Sequence, residues 1–318
     1  MTSNKIIATD AGQLQESVED SDFHHSQLSP GKLVAELWSM QNPRTSFFAT
    51  RYNRALRIYG RTPGDGYPLV LFPGRIKGEG HINKRRLSQQ SAAMWALNGE
   101  IDGLLPAGFE CIVLKVPEAL LHKVADTMTI PDRNIVPKDG PLREGNPEMI
   151  NRLTRRTMAV FEDAGAMQSL DSPVLSEDAE EDLIAEYLSC FTQLSATQPV
   201  DRWRRRYQVA RKADGYLRIN LDRSVTVTEL CRELQVSRRL LHYAMVDVYQ
   251  TPPIQYHIRL RLQYARNMLL TLPNRRTILE IALRSGFANA GYFSIYYKAL
   301  FGESPSATRG LCVRQMLS

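Results

Sequence analysis

The sequence predicts an α+β chain: an N-terminal half of short strands with helices, then an all-helical C-terminal domain. Three observations carry this. Residues 32–116 contain short runs rich in β-branched and aromatic residues, separated by Pro, Gly and Asn turns, which suits an antiparallel sandwich or small barrel. Residues 224–309 contain two segments that each read as amphipathic helix, tight turn, amphipathic helix. Charge divides the same way. From Asp201 onward, 20 Lys and Arg stand against 8 Asp and Glu, a net +12, leaving 20 against 26, or −6, in residues 1–200.

Taken in order, residues 1–27 are polar and acidic and are expected to form a flexible tail. Leu28-Ser-Pro-Gly31 is a turn. Strands are expected over 32–40, 46–50, 55–59, 69–72, 92–97 and 109–116. Between them lie Asn42-Pro43, Pro63-Gly-Asp-Gly66, Pro73-Gly74, Asn98-Gly99 and Pro106-Ala-Gly108, residues suited to turns. Pro117 opens a helix to about residue 128. Another helix is expected over 146–162, with Ile150, Leu153, Thr157, Val160 and Phe161 on its apolar face. A third starts near Ser176, acidic in its first turn as the helix dipole favours, with Leu183, Tyr187, Phe191 and Leu194 along one side.

The C-terminal pattern is more specific. Within 227–248, Leu230 and Leu234 mark one buried face, Ser237 suits an N-cap, and Leu241, Ala244, Met245 and Val248 give a 3.6-residue stripe. Arg238, Arg239, His242 and Tyr243 take the opposite face. Within 278–301, Ile278, Ile281 and Ala282 are buried, and Gly286 stands where a helix end needs a left-handed residue. Asn289 is a cap, and Phe293, Tyr297 and Phe301 continue the stripe. Pro252-Pro253 separates the units and starts a long helix over about 254–270, with Leu260, Tyr264 and Met268 four residues apart. Two helix-turn-helix units on a stiff connector can present two helices to the major groove about one DNA turn, ~34 Å, apart. The excess positive charge of this half suits phosphate contact.

The strings Ile281-Ala-Leu-Arg-Ser-Gly-Phe287, Tyr292-Phe293-Ser294 and Tyr297-Lys298-Ala-Leu-Phe-Gly-Glu-Ser-Pro305, followed by Arg309, closely resemble the signature of AraC/XylS-type transcription regulators. So does Arg259-Leu-Arg-Leu-Gln-Tyr-Ala-Arg266. The resemblance implies an N-terminal cupin-like β-barrel with helices and a C-terminal domain that binds promoter DNA. It also implies recruitment of RNA polymerase as an activator and, in many members, a small effector. The division expected is a sensor and dimerisation domain over 28–195, a linker over 196–206 and a DNA-binding domain over 207–312. In related regulators the helix carrying Leu183, Tyr187 and Phe191 pairs with its twin in a homodimer; packing on its own barrel is the equal alternative. Leu28-Ser-Pro-Gly-Lys32 resembles the ethanolamine-operon branch without specifying that ligand.

Family positions that face the groove match Arg239, His242 and Tyr243, with Arg238 beside them. The second recognition helix departs from the family pattern. Ile295 stands where arginine is common, and Ala290 and Gly291 offer no polar side chain. That leaves Tyr292, Ser294 and Lys298. Asymmetric readout follows, with the first unit specifying bases and the second mainly positioning the protein.

Trp38, Phe72, Trp95 and Phe109 are candidates to line an effector pocket, or else plain core. Neither catalytic groups nor a cofactor are expected. His81 stands alone in the barrel region, so the histidine cluster of a cupin enzyme is missing, which weighs against an enzyme fused to a DNA-binding tail. Cys111, Cys190, Cys231 and Cys312 form no CxxC pair, so neither a zinc site nor a disulfide set is expected. Cys111 lacks the Pro-Cys-His-Arg setting of alkyl-transfer repair regulators. A regulator controlled by a protein partner stays open beside the ligand-responsive one. A cytoplasmic, DNA-associated chain without membrane contact is expected, and residues from 201 onward are expected to bind DNA alone.

Overall fold

The computed structural model describes residues 3–16, 23–74, 78–87, 91–130, 135, 142–144, 147–166, 175–193, 195–196, 201–271 and 276–316. The chain divides into two compact units. The first comprises Met1–His24, Val34–Asn53 and Ile58–Gln198, and the second His25–Leu33, Arg54–Arg57 and Pro199–Ser318.

The first half of the chain carries β1 (Ser3–Ala8), α1 (Ala11–Glu16), β2 (His24–Gln27), β3 (Ala35–Gln41), β4 (Ser46–Tyr52), β5 (Leu56–Arg61) and β6 (Tyr67–Phe72). Then follow β7 (His81–Ile82), β8 (Arg85–Arg86), β9 (Ser91–Met94), β10 (Glu100–Leu105), β11 (Phe109–Val116), α2 (Glu118–Thr127), β12 (Leu142–Glu144), α3 (Pro147–Ala166), α4 (Glu177–Gln193) and β13 (Ser195–Ala196). The larger sheet runs β1-β3-β4-β11-β6-β9-β12-β13 and the smaller β2-β5-β10-β7-β8. Among the described residues these are two open sheets, where turn spacing alone suits a sandwich or a barrel.

Two departures from the sequence reading have causes distant along the chain. Residues 3–8, expected in a flexible tail, pair antiparallel with β3, Ser3 opposite Met40 through Ala8 opposite Ala35. The pairing satisfies the backbone edge of β3, and the apolar run Ile6-Ile7-Ala8 is too short to announce it in the sequence. Asp10 then caps α1, its carboxylate accepting from the amides of Gly12 and Gln13 at 2.8 and 2.9 Å. The strand β10 is hidden in the sequence because Asp102 and Gly103 read as a turn. Gly103 is required there by crowding: a Cβ would lie 2.8 Å from the His81 carbonyl of the neighbouring strand.

The core of the first unit joins β4, β6, β9 and β11 to α2, α3 and α4. Leu183, Tyr187 and Phe191 all face it, and Tyr187 is fully buried. Its hydroxyl lies 3.1 Å from that of Thr157, which itself donates to the Leu153 carbonyl. Between the two readings of α4, packing within its own unit therefore holds, and these residues offer no dimer surface. The reason is periodicity: an apolar stripe has the same spacing whether it meets its own sheet or a twin helix.

The second unit continues with α5 (Asp201–Arg218), α6 (Val227–Leu234), α7 (Arg238–Tyr249), α8 (Pro253–Thr271), α9 (Ile278–Arg284), α10 (Ala290–Phe301) and α11 (Pro305–Met316). The expected linker falls partly on residues 197–200, outside the described residues; α5 begins at Asp201. Tyr264 is exposed, so the α8 stripe turns instead through Leu262, Ala265, Met268 and Leu269.

Burial of Tyr187 makes a specific demand. Tyr187→Asp should destabilise the first unit by roughly 3–5 kcal/mol, because it leaves an uncompensated charge in the core. Urea unfolding followed by far-UV dichroism measures this; an unfolding midpoint equal to that of the unmodified chain would contradict the packing described.

Candidate nucleic-acid interface

Each helix-turn-helix unit is built by its caps. In the first, the Thr226 hydroxyl accepts from the Glu229 amide at 3.1 Å and Ser237 accepts from Leu240 at 3.2 Å. Between them Gln235 takes the left-handed conformation, φ +53°, and the Val236 amide donates back to the Cys231 carbonyl at 3.0 Å. Leu241, Ala244, Met245 and Val248 bury one side of α7. Arg238, Arg239, His242 and Tyr243 are exposed on the other.

These four side chains are arranged, not merely solvated. The Arg239 guanidinium sits 5.6 Å above the Tyr243 ring and that of Arg206 5.3 Å above it. Arg206 is paired with Asp247. His242 meets Tyr243 edge to face at 6.0 Å. Arg238 instead donates to the Thr228 hydroxyl at 3.2 Å, back toward α6. Arg206 falls at the end of the stretch expected as linker, 196–206; the side chains of 202–204 lie outside the described residues.

In the second unit Thr277 and Glu280 form a reciprocal capping box, with the Thr277 amide donating to the Glu280 carboxylate at 2.6 Å and the Glu280 amide to the Thr277 hydroxyl at 3.1 Å. Gly286 ends α9 at φ +73°, and a Cβ there would lie 2.7 Å from the Arg223 amide nitrogen. Conformation and crowding thus both require glycine. Asn289 caps α10 by accepting from Gly291 and Tyr292 at 2.7 and 3.1 Å. Phe293, Tyr297, Leu300 and Phe301 are buried.

The outward face of α10 is apolar and aromatic. Tyr292 and Ile295 are 63% and 65% exposed, and Tyr296 is exposed beside them. Lys298 is exposed. Ser294 is half-buried, and its hydroxyl donates to the Ala290 carbonyl of its own helix at 2.9 Å. Tyr296 was not singled out in the sequence, although it lies one turn beyond Tyr292 on the same face.

Two arginines of the connecting helix are buried. Arg261 donates to the Ser285 carbonyl at 2.7 Å and to the Ser224 hydroxyl at 3.2 Å, with its guanidinium 4.1 Å over the Phe287 ring. Burial lowers its pKa to about 10, so it stays charged at neutral pH. Arg266 pairs with Glu303 at 2.9 Å and lies 4.7 Å over Phe301. Their signature positions are structural and do not face a groove.

The effector candidates sit elsewhere. Phe72 and Phe109 are buried ring against ring at 5.6 Å, and Trp95 is buried. Trp38 is half-buried, with the Lys5 ammonium 5.0 Å over its ring. A cleft of about 850 Å³ is lined by Pro73, Met149, Arg152, Thr154, Arg155 and Gln193 among others, and by none of these four aromatics. Among the described residues no trio of His, Cys, Asp or Glu gathers as a metal site. No described helix is long and apolar enough to cross a membrane.

A family model described as a helix-turn-helix domain matches residues 230–310. The chain is 33% identical over 90 residues to the HTH-type transcriptional regulator ArgR of Pseudomonas aeruginosa, covering 28% of this chain and 27% of that one. It is 32% identical over 97 residues to the XylDLEGF operon transcriptional activator 2 of Pseudomonas putida, covering 30% and 62%. The match thus spans about a quarter of the first curated relative. A solved structure described as a probable AraC family transcriptional regulator, from Rhodopseudomonas palustris, is 30% identical over 33% of this chain and 97% of that one, with a TM-score of 0.31.

The connecting helix also carries a buried histidine with a pH consequence. His257 Nε2 lies 3.0 Å from the Asn220 carbonyl, and burial holds its pKa down at about 4 against an ordinary 6.5. Its charged neighbours are Arg261, Arg223 and Glu229. The unfolded chain binds the extra proton first, so the stabilisation is complete above pH 6.5 and lost as pH falls toward 4. The melting temperature should fall through that window, and His257→Gln should flatten this part of the fall. A profile identical in the two proteins would show that His257 does not titrate there.

Proposed function

We propose that the chain is a transcription regulator of the AraC/XylS type that reads a bipartite promoter site with α7 and α10; its helix-turn-helix domain and its likeness to transcriptional regulators over that domain support this. The family is one of regulators and not of enzymes. The activator role is read from the Pseudomonas putida relative, whose name is that of an operon activator. RNA polymerase is the partner such a role needs. The core packing of Phe72, Trp95 and Phe109 favours a regulator whose state is not set by a ligand stacked on those rings.

The observation that carries the reading is the contrast between the two exposed helix faces. On α7, Arg239 and His242 present donors, and Tyr243 holds Arg239 in place. A guanidinium fork pairs with the O6 and N7 acceptors of guanine. On α10 the one small hydroxyl, Ser294, is already used within the helix. What remains outward is Ile295 with Tyr292 and Tyr296, suited to a thymine methyl group or the sugar wall, and Lys298, suited to phosphate. The first unit would specify bases through hydrogen bonds and the second through shape and apolar contact.

The test uses the full-length chain on duplexes it selects from a random pool. Affinity should fall steeply with salt, as phosphate contacts require. Arg239→Ala should cost about 1–3 kcal/mol and relax preference at one base pair. Ser294→Ala should leave both affinity and preference unchanged, and Ile295→Ala should weaken any preference for thymine. Absence of any selected sequence would end the proposal. A preference profile flattened by Ser294→Ala but untouched by Arg239→Ala would reverse the assignment of roles.

A further inference from the structure

The second unit holds two pieces of chain that the sequence gives no reason to expect there, His25–Leu33 and Arg54–Arg57. They are tied to each other. The Leu28 amide donates to the Ala55 carbonyl at 2.8 Å, and the Ala55 amide donates to the Ser29 hydroxyl at 2.8 Å. Leu28, Leu33 and Leu56 are buried. Together they form one small strap within this unit.

The strap reaches both helix-turn-helix units. At one end Arg57, a residue only 1% exposed, pairs with Asp214 of α5 at 3.4 Å. Its guanidinium lies 5.2 Å over the ring of Tyr249, the last residue of α7. Tyr249 stacks on Tyr256 at 4.6 Å, and the Tyr256 hydroxyl donates to Asp214 at 2.7 Å. Arg218 also donates to Asp214, at 2.8 Å. At the other end the Leu300 carbonyl, in the last turn of α10, accepts from the Gly31 amide at 3.0 Å and from the Gln27 side-chain amide at 2.9 Å. The Ser29 and Gly31 carbonyls lie 2.8 and 2.6 Å from the same amide nitrogen, so its two N–H groups are shared among three carbonyls and hold the loop. Gly302 ends α10 at φ +76°, and a Cβ there would lie 3.0 Å from the Lys32 amide nitrogen.

The strap therefore grips the C-terminal end of each recognition helix, and α10 uses it as an external cap for a carbonyl that has no partner within a helix. A charge as deeply buried as Arg57 holds its place only with its partner present. We infer that this strap is a positioning element for DNA recognition: it fixes the spacing of α7 and α10, so that reading both halves of a site depends on residues 25–33 and 54–57 as well as on the helical domain. The inference rests on the bipartite reading above. It also revises the expectation that residues from 201 onward suffice, since that fragment would lack the strap.

The experiment compares the full-length chain with full-length Arg57→Met and, as the milder change, Gln27→Ala. Duplexes selected by the unmodified protein are remade with one base pair inserted or removed between the two halves, and with either half scrambled. The unmodified protein should bind the native spacing best by on the order of tenfold. The variants should lose that spacing preference while binding a single intact half as before. Loss of affinity in equal proportion on every duplex would reduce the strap to a general stabiliser, and retention of the spacing preference by both variants would overturn the inference. A second readout needs no DNA. Nitroxide labels on a genetically encoded keto amino acid at positions 242 and 295 report the distance between the helices. Its distribution should broaden in Arg57→Met, and an unchanged distribution overturns the inference even if the DNA reading itself fails.

Discussion

The buried guanidinium of Arg261 ties both helix-turn-helix units to the helix that connects them. Arg261 sits on the connecting helix, which belongs to neither unit. It bonds the backbone at the end of α9 through Ser285 and the entry to the first unit through Ser224, and its flat face rests on Phe287. A hydrogen bond to a charged group is typically worth about 1.5–3 kcal/mol, a sizeable part of a small domain's stability, and Arg261 makes two. The contact is short in space and rigid in geometry, because a planar fork with two fixed acceptors has one good orientation. Gly286 completes it: the absence of a Cβ lets the turn of the second unit touch the Arg223 backbone directly. A helix alone holds its ends on an axis but does not fix rotation about it. The arginine and the glycine add contacts off that axis, in addition to the strap's grip on the two helix ends.

With the frame fixed, the two outward faces can be compared as chemistry. The first presents cations over an aromatic ring, an arrangement that holds a long side chain in one place before DNA arrives. Such pre-positioning lowers the rotamer entropy lost on binding. The second presents Tyr292, Ile295 and Tyr296, whose stiff side chains lose little entropy and whose apolar surface gains from leaving water. Both faces are therefore organised, by different means. Hydrogen-bond donors discriminate among bases more sharply than methyl contacts, since a mismatched base leaves a polar group unpaired.

Much of the helical unit was legible in the sequence because its signals are local. Ser237, Thr277 and Asn289 announce helix starts, Gly286 announces an end, and the 3.6-residue stripes give the buried sides. The strand at 109–116 was legible for the same reason. What the sequence hid depends on partners distant along the chain. The strand β1 has only the short apolar run Ile6-Ile7-Ala8 and pairs along the edge that β3 offers. The glycine in β10 reads as a turn until His81 is placed beside it. Tyr187 has the spacing of a dimer seam and the environment of a core. Arg261 and Arg266 stand in the sequence only within the string on the connecting helix, and their burial appears only when Ser285, Glu303 and two aromatic rings converge on them. Charge patterning suggests a nucleic-acid surface correctly at the level of the domain but does not sort reading arginines from structural ones.

That sorting follows from one physical difference. A groove-facing arginine must reach donors into solvent, so its neighbours can hold its stem or its face but not all of its N–H groups. Arg239 meets this condition: a ring lies beneath it and it is exposed. Arg261, Arg266 and Arg57 fail it, each packed on an aromatic ring and engaged with protein oxygen atoms while nearly removed from water. The same cation–aromatic contact thus serves two ends. Under an exposed guanidinium it aims a donor outward, and under a buried one it replaces lost hydration on the two faces that hydrogen bonds cannot cover. The unit is consequently assembled around buried cations, and the net positive charge of this half overstates the part of it exposed to solvent.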